Sequence, residues 1–189
     1  ANAVVRWDDI LIDVHADNKM LYTNKRIVTV LNSSGDNKHG AVMFYDENTR
    51  IKKLEVKIYD TFGKEIKKIR KNDFEDVSAV SGATLYSDSR VKYLNYTPTS
   101  YPYSILFETE VEYSSTAFLS GWRPIEGYFT STENAAYKIT NSSGIPIKVK
   151  TSNFEGYNIE KLNDFNYSAK NLSAIKPESY SPDFSVFAP

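Results

Sequence analysis

Between Tyr103 and Tyr113 the chain alternates with a period of two. Ile105, Phe107, Thr109, Val111 and Tyr113 share one phase, and Leu106, Glu108, Glu110 and Glu112 share the other. Side chains of an extended strand point alternately to opposite faces, so this pattern specifies a half-buried β-strand and does not fit a helix, whose apolar positions recur every 3.6 residues. The same period recurs elsewhere. Ile10, Ile12 and Val14 alternate with Leu11, Asp13 and His15; residues 16–19 then supply turn-forming side chains, and a second strand-like run extends from Met20 to Leu31. Together they read as a hairpin.

Further strands are expected over 41–45, 54–60, 65–69, 86–96, 137–140, 145–151, 157–162 and 165–169. Gly63 is placed to supply the positive φ of a tight turn, and Asn141-Ser142-Ser143-Gly144 to join two strands as a hairpin. Over 70–85 the pattern weakens, which reads as a long loop with room for one short strand. Helix evidence is thin: the segment 64–70 has helix-forming residues, but its Ile66 and Ile69 do not continue into a stripe. Many short strands with turn signals at regular spacing predict an all-β chain. The expected fold is an antiparallel two-layer β-sandwich of immunoglobulin-like character, or an enlarged version of it.

At 189 residues, one sandwich accounts for most of the chain, and we assign it to 1–171. Residues 172–189 read as an extended C-terminal tail and linker, because Pro177, Pro182 and Pro189 punctuate it. Tyr180, Phe184 and Phe187 in that tail have no amphipathic period of their own, so they are expected to pack on a neighbouring surface, including that of a downstream domain.

Composition removes several function classes. The 23 Lys and Arg nearly cancel the 24 Asp and Glu, for a net charge of −1, without the basic excess of a nucleic-acid binder. No apolar run approaches the roughly 20 residues that span a bilayer as a helix. There is no cysteine, hence no thiol nucleophile, thiolate metal ligand or disulfide. His15 and His39 are the only histidines, and neither sits in a metal-ligand spacing. Nucleophile-elbow and phosphate-loop motifs are missing as well. No metal or cofactor is expected.

Two sets of residues still invite a functional reading. Glu108, Glu110 and Glu112 lie on one strand face at spacings of about 7 Å, near the separations used by glycoside hydrolases; the commoner role of such a row is the solvated face of a strand. Trp122, Tyr101, Tyr103, Tyr128 and Tyr157 could form a stacking platform for sugars or a groove for a peptide, although such residues more often fill cores and interfaces.

Several segments in order resemble a known family. Residues 73–94, DFEDVSAVSGATLYSDSRVKYL, are similar to a stretch with D-V-S followed by L-Y-S-D-x-R-x-K in an uncharacterised β-sandwich domain, a domain of unknown function that precedes transglutaminase-like domains in exported bacterial proteins. The opening Ala3-Val4-Val5 and the run RIVTVLN from Arg26 resemble its first strands, and residues 54–67 its hairpin ending in Gly-Lys. Tyr103 to Tyr113 resembles its I-x-F-E-x-E-V-E-Y strand, and NLSAIKPESYSPDFSVFAP from Asn171 its closing segment. The resemblance implies a β-sandwich accessory module whose matching polar positions are Asp76, Ser78, Asp88, Arg90 and Lys92. It further implies a downstream transglutaminase-like domain as partner, with the catalytic Cys, His and Asp lying outside this sequence.

The expectation is therefore a non-catalytic accessory or protein-interaction module. A carbohydrate-binding module is the alternative, and a stand-alone hydrolase built on the strand glutamates is third. The polar, tyrosine-rich composition and a start at Ala1, compatible with a removed signal peptide, point to a periplasmic or secreted protein.

Overall fold

The computed structural model describes residues 1–79, 88–180 and 182–189. The chain is all-β, and its strands form two sheets packed as a sandwich. Eleven strands are present among the described residues: β1 (Ala3–Ala16), β2 (Lys19–Val30), β3 (Val42–Tyr45), β4 (Thr49–Tyr59), β5 (Glu65–Arg70), β6 (Glu75–Ser78), β7 (Arg90–Tyr93), β8 (Tyr103–Tyr113), β9 (Thr130–Asn141), β10 (Ile159–Asn163) and β11 (Asn166–Leu172). The large sheet has the order β10-β11-β9-β1-β2-β8-β4-β5, and the small one β3-β7-β6. This is the enlarged form of a two-layer sandwich. Its pairings are antiparallel with one departure: β1 runs parallel to β9, from Ala3 opposite Thr130 to Val14 opposite Asn141. Parallel neighbours need a long crossover, and the whole of β2 to β8 serves as that crossover here.

The alternation over 103–113 is realised residue by residue, with Tyr103, Ile105, Phe107, Thr109 and Val111 buried and each intervening side chain half-exposed. The first hairpin forms through residues 16–19. In β1 a bulge at Arg6 shifts the inward phase from Ala3 and Val5 to Asp8, Ile12 and Val14, as an extra unpaired residue must. Gly63, with φ of 79°, turns β4 into β5, and Asp60 Oδ1 accepts hydrogen bonds from the Phe62 and Lys64 N–H groups at 2.9 Å.

Two different covers close the inner face of the large sheet. The small sheet lies over the β2-β8-β4-β5 half, where Met43 and Leu94, with Phe74, meet Val28, Val30, Leu54, Val56, Ile58, Ile105 and Phe107. Fully burying each such apolar side chain contributes on the order of 1.5–3 kcal/mol before ordering costs. Over the β1-β9-β11-β10 half the cover consists of segments without strand structure. There Leu119, Trp122, Ile147 and Phe154 pack on Ile12, Val14, Tyr137, Ile139 and Tyr167, and Ile125 packs on Ala135, Ala169 and Leu172.

The strand expected over 145–151 does not form. Pro146 offers no N–H, and β9, its intended hairpin partner, already has β1 on one side and β11 on the other. Asn141 instead holds the turn through its side chain, donating from Nδ2 to Ile145 O at 2.8 Å. The run expected over 86–96 shortens to β7, while Tyr86 and Ser87 lie outside the described residues. In the weak-pattern region β6 supplies the short strand.

The tail is not extended throughout, because Phe184–Phe187 makes one helical turn, capped by Asp183 Oδ1 accepting from Ser185 N–H at 2.9 Å. It folds back onto the sandwich: Phe129 N–H donates to Ile175 O, and Asn153 Nδ2 to Val186 O and Ala188 O. No helix among the described residues is long and apolar enough to cross a membrane.

Candidate functional site

Among the described residues, the most enclosed ionic group lies on the inner face of the first hairpin. Asp8, Asn24 and Arg26 are all buried, on the phase that elsewhere carries Val14, Met20 and Val28. Arg26 donates from Nη1 to Asp8 Oδ2 at 2.8 Å and from Nη2 to Glu126 Oε2 at 2.5 Å. Asn24 Nδ2 donates to the other Asp8 oxygen at 2.7 Å and to Asp9 O at 3.1 Å. Glu126 arrives from the irregular cover and stays half-exposed. Gly40, at φ 68°, lies against the guanidinium, and a Cβ there would come within 3.3 Å of Arg26 Nε. That atom is buried without a hydrogen-bond partner.

The charges shift their neighbours. Burial raises the Asp8 carboxyl above its usual range against the pull of Arg26 and Asn24. Burial also raises the Tyr22 phenol, with the Asp8 charge adding to it. His39 is pushed below the ordinary histidine value, first by burial and then by Arg26; its Nδ1 accepts from Ala41 N–H at 3.0 Å. The group joins β1, β2, the 39–41 turn and the 124–127 segment. Sequence reading missed it. The available signal was polar side chains at matching register on the apolar phase of both arms of a hairpin.

A second polar cluster gathers three of the positions that match the family. Asp76 on β6 faces Lys92 on β7. Its carboxylate accepts from Lys92 Nζ at 2.8 Å, from Arg90 Nε at 2.9 Å and from Tyr45 Oη at 2.8 Å. The Lys92 hydrogen bond, with those from Tyr45 and Arg90, brings the Asp76 carboxyl down to about 2. Ser78 stands opposite Arg90 in register, and Asp88 is exposed just before β7. Every acceptor of Asp76 is used to tie three strands together.

The aromatic candidates are spread over three places and make no common platform. Trp122 stacks on Tyr137 at 6.0 Å and meets Phe154 and Tyr167 edge-on or tilted, inside the core beneath the irregular cover. Tyr101 and Tyr103 both donate to Asp36, at 2.5 and 3.0 Å, on the other half of the sandwich. The Asp36 contact raises Tyr101 to about 12, and burial followed by the same contact raises Tyr103. Tyr128 packs against the tail, with its ring 4.9 Å from that of Phe184 and 6.5 Å from that of Phe187. Tyr157 packs on the neighbouring group of Ile125, Ala135, Ala169 and Leu172. Tyr180 is fully exposed.

The glutamate row lies on the outer face of the large sheet. Glu108 pairs with Lys53 and Glu112 with Lys52, each at 3.1 Å, and Glu110 shares that face. His15 lies 3.4 Å from Asp13 at the far end of β1. Among the described residues no group of three or more His, Cys, Asp or Glu could hold a metal ion.

No curated protein matches the sequence. Among solved structures, a candidate protease from Parabacteroides distasonis superposes with a TM-score of 0.68 at 14% identity, covering 96% of this chain and 38% of that one. Yeast LTA4 hydrolase in complex with bestatin aligns at a TM-score of 0.34 and 11% identity, covering 93% of this chain and 27% of that one. The chain thus spans well under half of the length of each of these two solved proteins. A family model, a domain of unknown function with a solved structure, matches residues 16–176, and the chain belongs to that family, DUF3857.

Proposed function

We propose that this chain is a non-catalytic accessory and protein-interaction module of a larger exported protein whose enzymatic part is a transglutaminase-like, cysteine-protease-like domain. One observation carries the reading: the fold occupies 96% of this chain but only 38% of a larger candidate protease, as a module set within a bigger protein would. The side-chain chemistry agrees with it. The sequence has no thiol, His15 lies near the C-terminal end of β1 while His39 follows the short 3-10 turn over Ser33–Lys38, and two of the three strand glutamates, Glu108 and Glu112, are ion-paired to lysines. The division at residue 172, a periplasmic or secreted location and contact of the exposed Tyr180 with the downstream domain belong to the same reading.

The test compares peptide hydrolysis by the full-length protein, by a form lacking residues 1–171 and by this chain alone. Turnover by the full-length protein that changes on removal of the module, with none from the chain alone, is the expected result. Hydrolysis by the isolated chain that disappears in Glu110→Gln would overturn it.

A further inference from the structure

We propose that the groove between residues 118–121 and 147–150 docks an extended segment of a partner protein in which apolar and acidic side chains alternate. This deepens the interaction-module reading and rests on it. The groove measures about 420 Å³, and its floor is the inner face of β1 and β9, with Val14, Tyr137 and Ile139.

Three observations converge there. The first is unpaired backbone on both walls. Among the described residues, the N–H groups of Phe118, Leu119 and Gly121 on one side, and of Ile147, Lys148, Val149 and Lys150 on the other, make no hydrogen bond. Ile145 and Ile147 are half-buried while Pro146 and Lys148 are exposed, so the chain alternates as a strand does over 145–148 before Val149 and Lys150 turn to the rim. Both neighbours of β9 are taken, so the sheet offers the 147–150 backbone no strand to pair with. Addition of an extended peptide to such an edge is a recurrent recognition mode.

The second is apolar exposure. Phe118 is 91% exposed and Val149 39% exposed at the rim, beside a floor that is itself core. Large aromatic side chains held in water next to an apolar recess mark a contact surface.

The third is charge. Lys148 and Lys150 line the groove, no acidic side chain does, and neither lysine is ion-paired among the described residues. Two cations spaced i, i+2 on one wall match two acids at the same spacing on a paired strand, because cross-strand neighbours of opposite sign attract.

The experiment uses two labelled heptapeptides, TVEVEVT and TVKVKVT, measured by fluorescence anisotropy, with backbone-amide NMR to locate binding. We expect the acidic peptide to bind at least tenfold more tightly than the lysine one at low salt, several-fold more weakly at 300 mM salt, and to shift amides of 118–121 and 147–150. Lys148→Glu with Lys150→Glu should reverse the order of the two peptides. Val149→Pro, which removes one N–H, should weaken the acidic peptide at least tenfold with the melting temperature unchanged.

Equal binding of the two peptides, an order that survives the charge reversal, or amide shifts elsewhere would overturn the proposal. So would sedimentation showing a dimer that Phe118→Ser dissolves, since a second copy would then fill the groove. None of these outcomes bears on whether deleting the module alters full-length activity, so the two readings fail separately.

Discussion

Asp8 and Arg26 stand directly opposite each other in the β1–β2 register, joined by a 2.8 Å hydrogen bond with both side chains only 5% exposed. Removing one partner of a buried ion pair strands the other charge, at a cost of about 3–5 kcal/mol. Arg26→Ala should therefore lower the unfolding free energy by that amount in urea titrations. Replacing both, Asp8→Leu with Arg26→Met, should return stability to within ~1 kcal/mol of the parent, because Asn24 keeps Asp9 O and Glu126 can turn to solvent.

His39 makes stability depend on mildly acid pH. Its folded value lies below the ordinary one, so the folded state favours the neutral ring. The contribution is complete above about pH 6.5, where the unfolded ring is also neutral, and is lost as pH falls through the lowered folded value. Thermal melts from pH 7.5 to 5 should show a falling midpoint that His39→Asn flattens.

Asp76 acts in the same sense at lower pH. Its carboxyl titrates at about 2 in the folded chain against a usual 3.8, so its stabilisation is present above about pH 4 and lost towards pH 2. In Asp76→Asn the acid limb of the stability profile should be shallower over that window. An unchanged limb would show that the Tyr45–Arg90–Lys92 contacts do not couple to folding.

In the tail the aromatics should separate by experiment. Phe184 packs edge-on against Tyr128, whereas Tyr180 is fully exposed. Phe184→Ala should destabilise this chain by about 1–3 kcal/mol, and Tyr180→Ala by less than ~0.5 kcal/mol. On the proposed two-part reading, limited proteolysis of the full-length protein should show the reverse ranking at the proposed junction after residue 172.

The outer-face glutamates should contribute little. Exposed Lys–Glu pairs are worth about 0–1 kcal/mol, so Glu108→Gln and Glu112→Gln should each move the melting midpoint only slightly. Raising salt from 50 to 500 mM should remove most of that difference.

The alternation of β8, the first hairpin and the Gly63 turn could be read directly, because each is specified by neighbours in sequence. What could not be read depends on partners far away. The parallel contact of β1 with β9 joins positions 127 apart at Ala3 and Thr130, and no local pattern encodes it. The failure of 145–151 to become a strand follows from both edges of β9 being occupied, a property of the sheet and not of the segment. The Asp8–Arg26 pair was half legible, since both break the apolar phase, yet the bulge at Arg6 sets which phase of β1 faces inward. Trp122 and the four tyrosines illustrate the remaining gap: composition identifies large side chains without saying which wall of the sandwich each will meet.

The parallel pairing of β1 with β9 also bears on how the chain is made. At roughly 5–20 residues per second, the ribosome releases β1 some 6–25 seconds before the strand that will lie beside it. Throughout that interval the emerging hairpin carries an open edge from Ala3 to Val14 with no resident neighbour. Such an edge can pair with any other nascent chain, so the yield of native protein should depend on what shields the first hairpin during synthesis. Slowing translation between residues 31 and 130 should increase aggregation, while a holdase that binds β1 should suppress it.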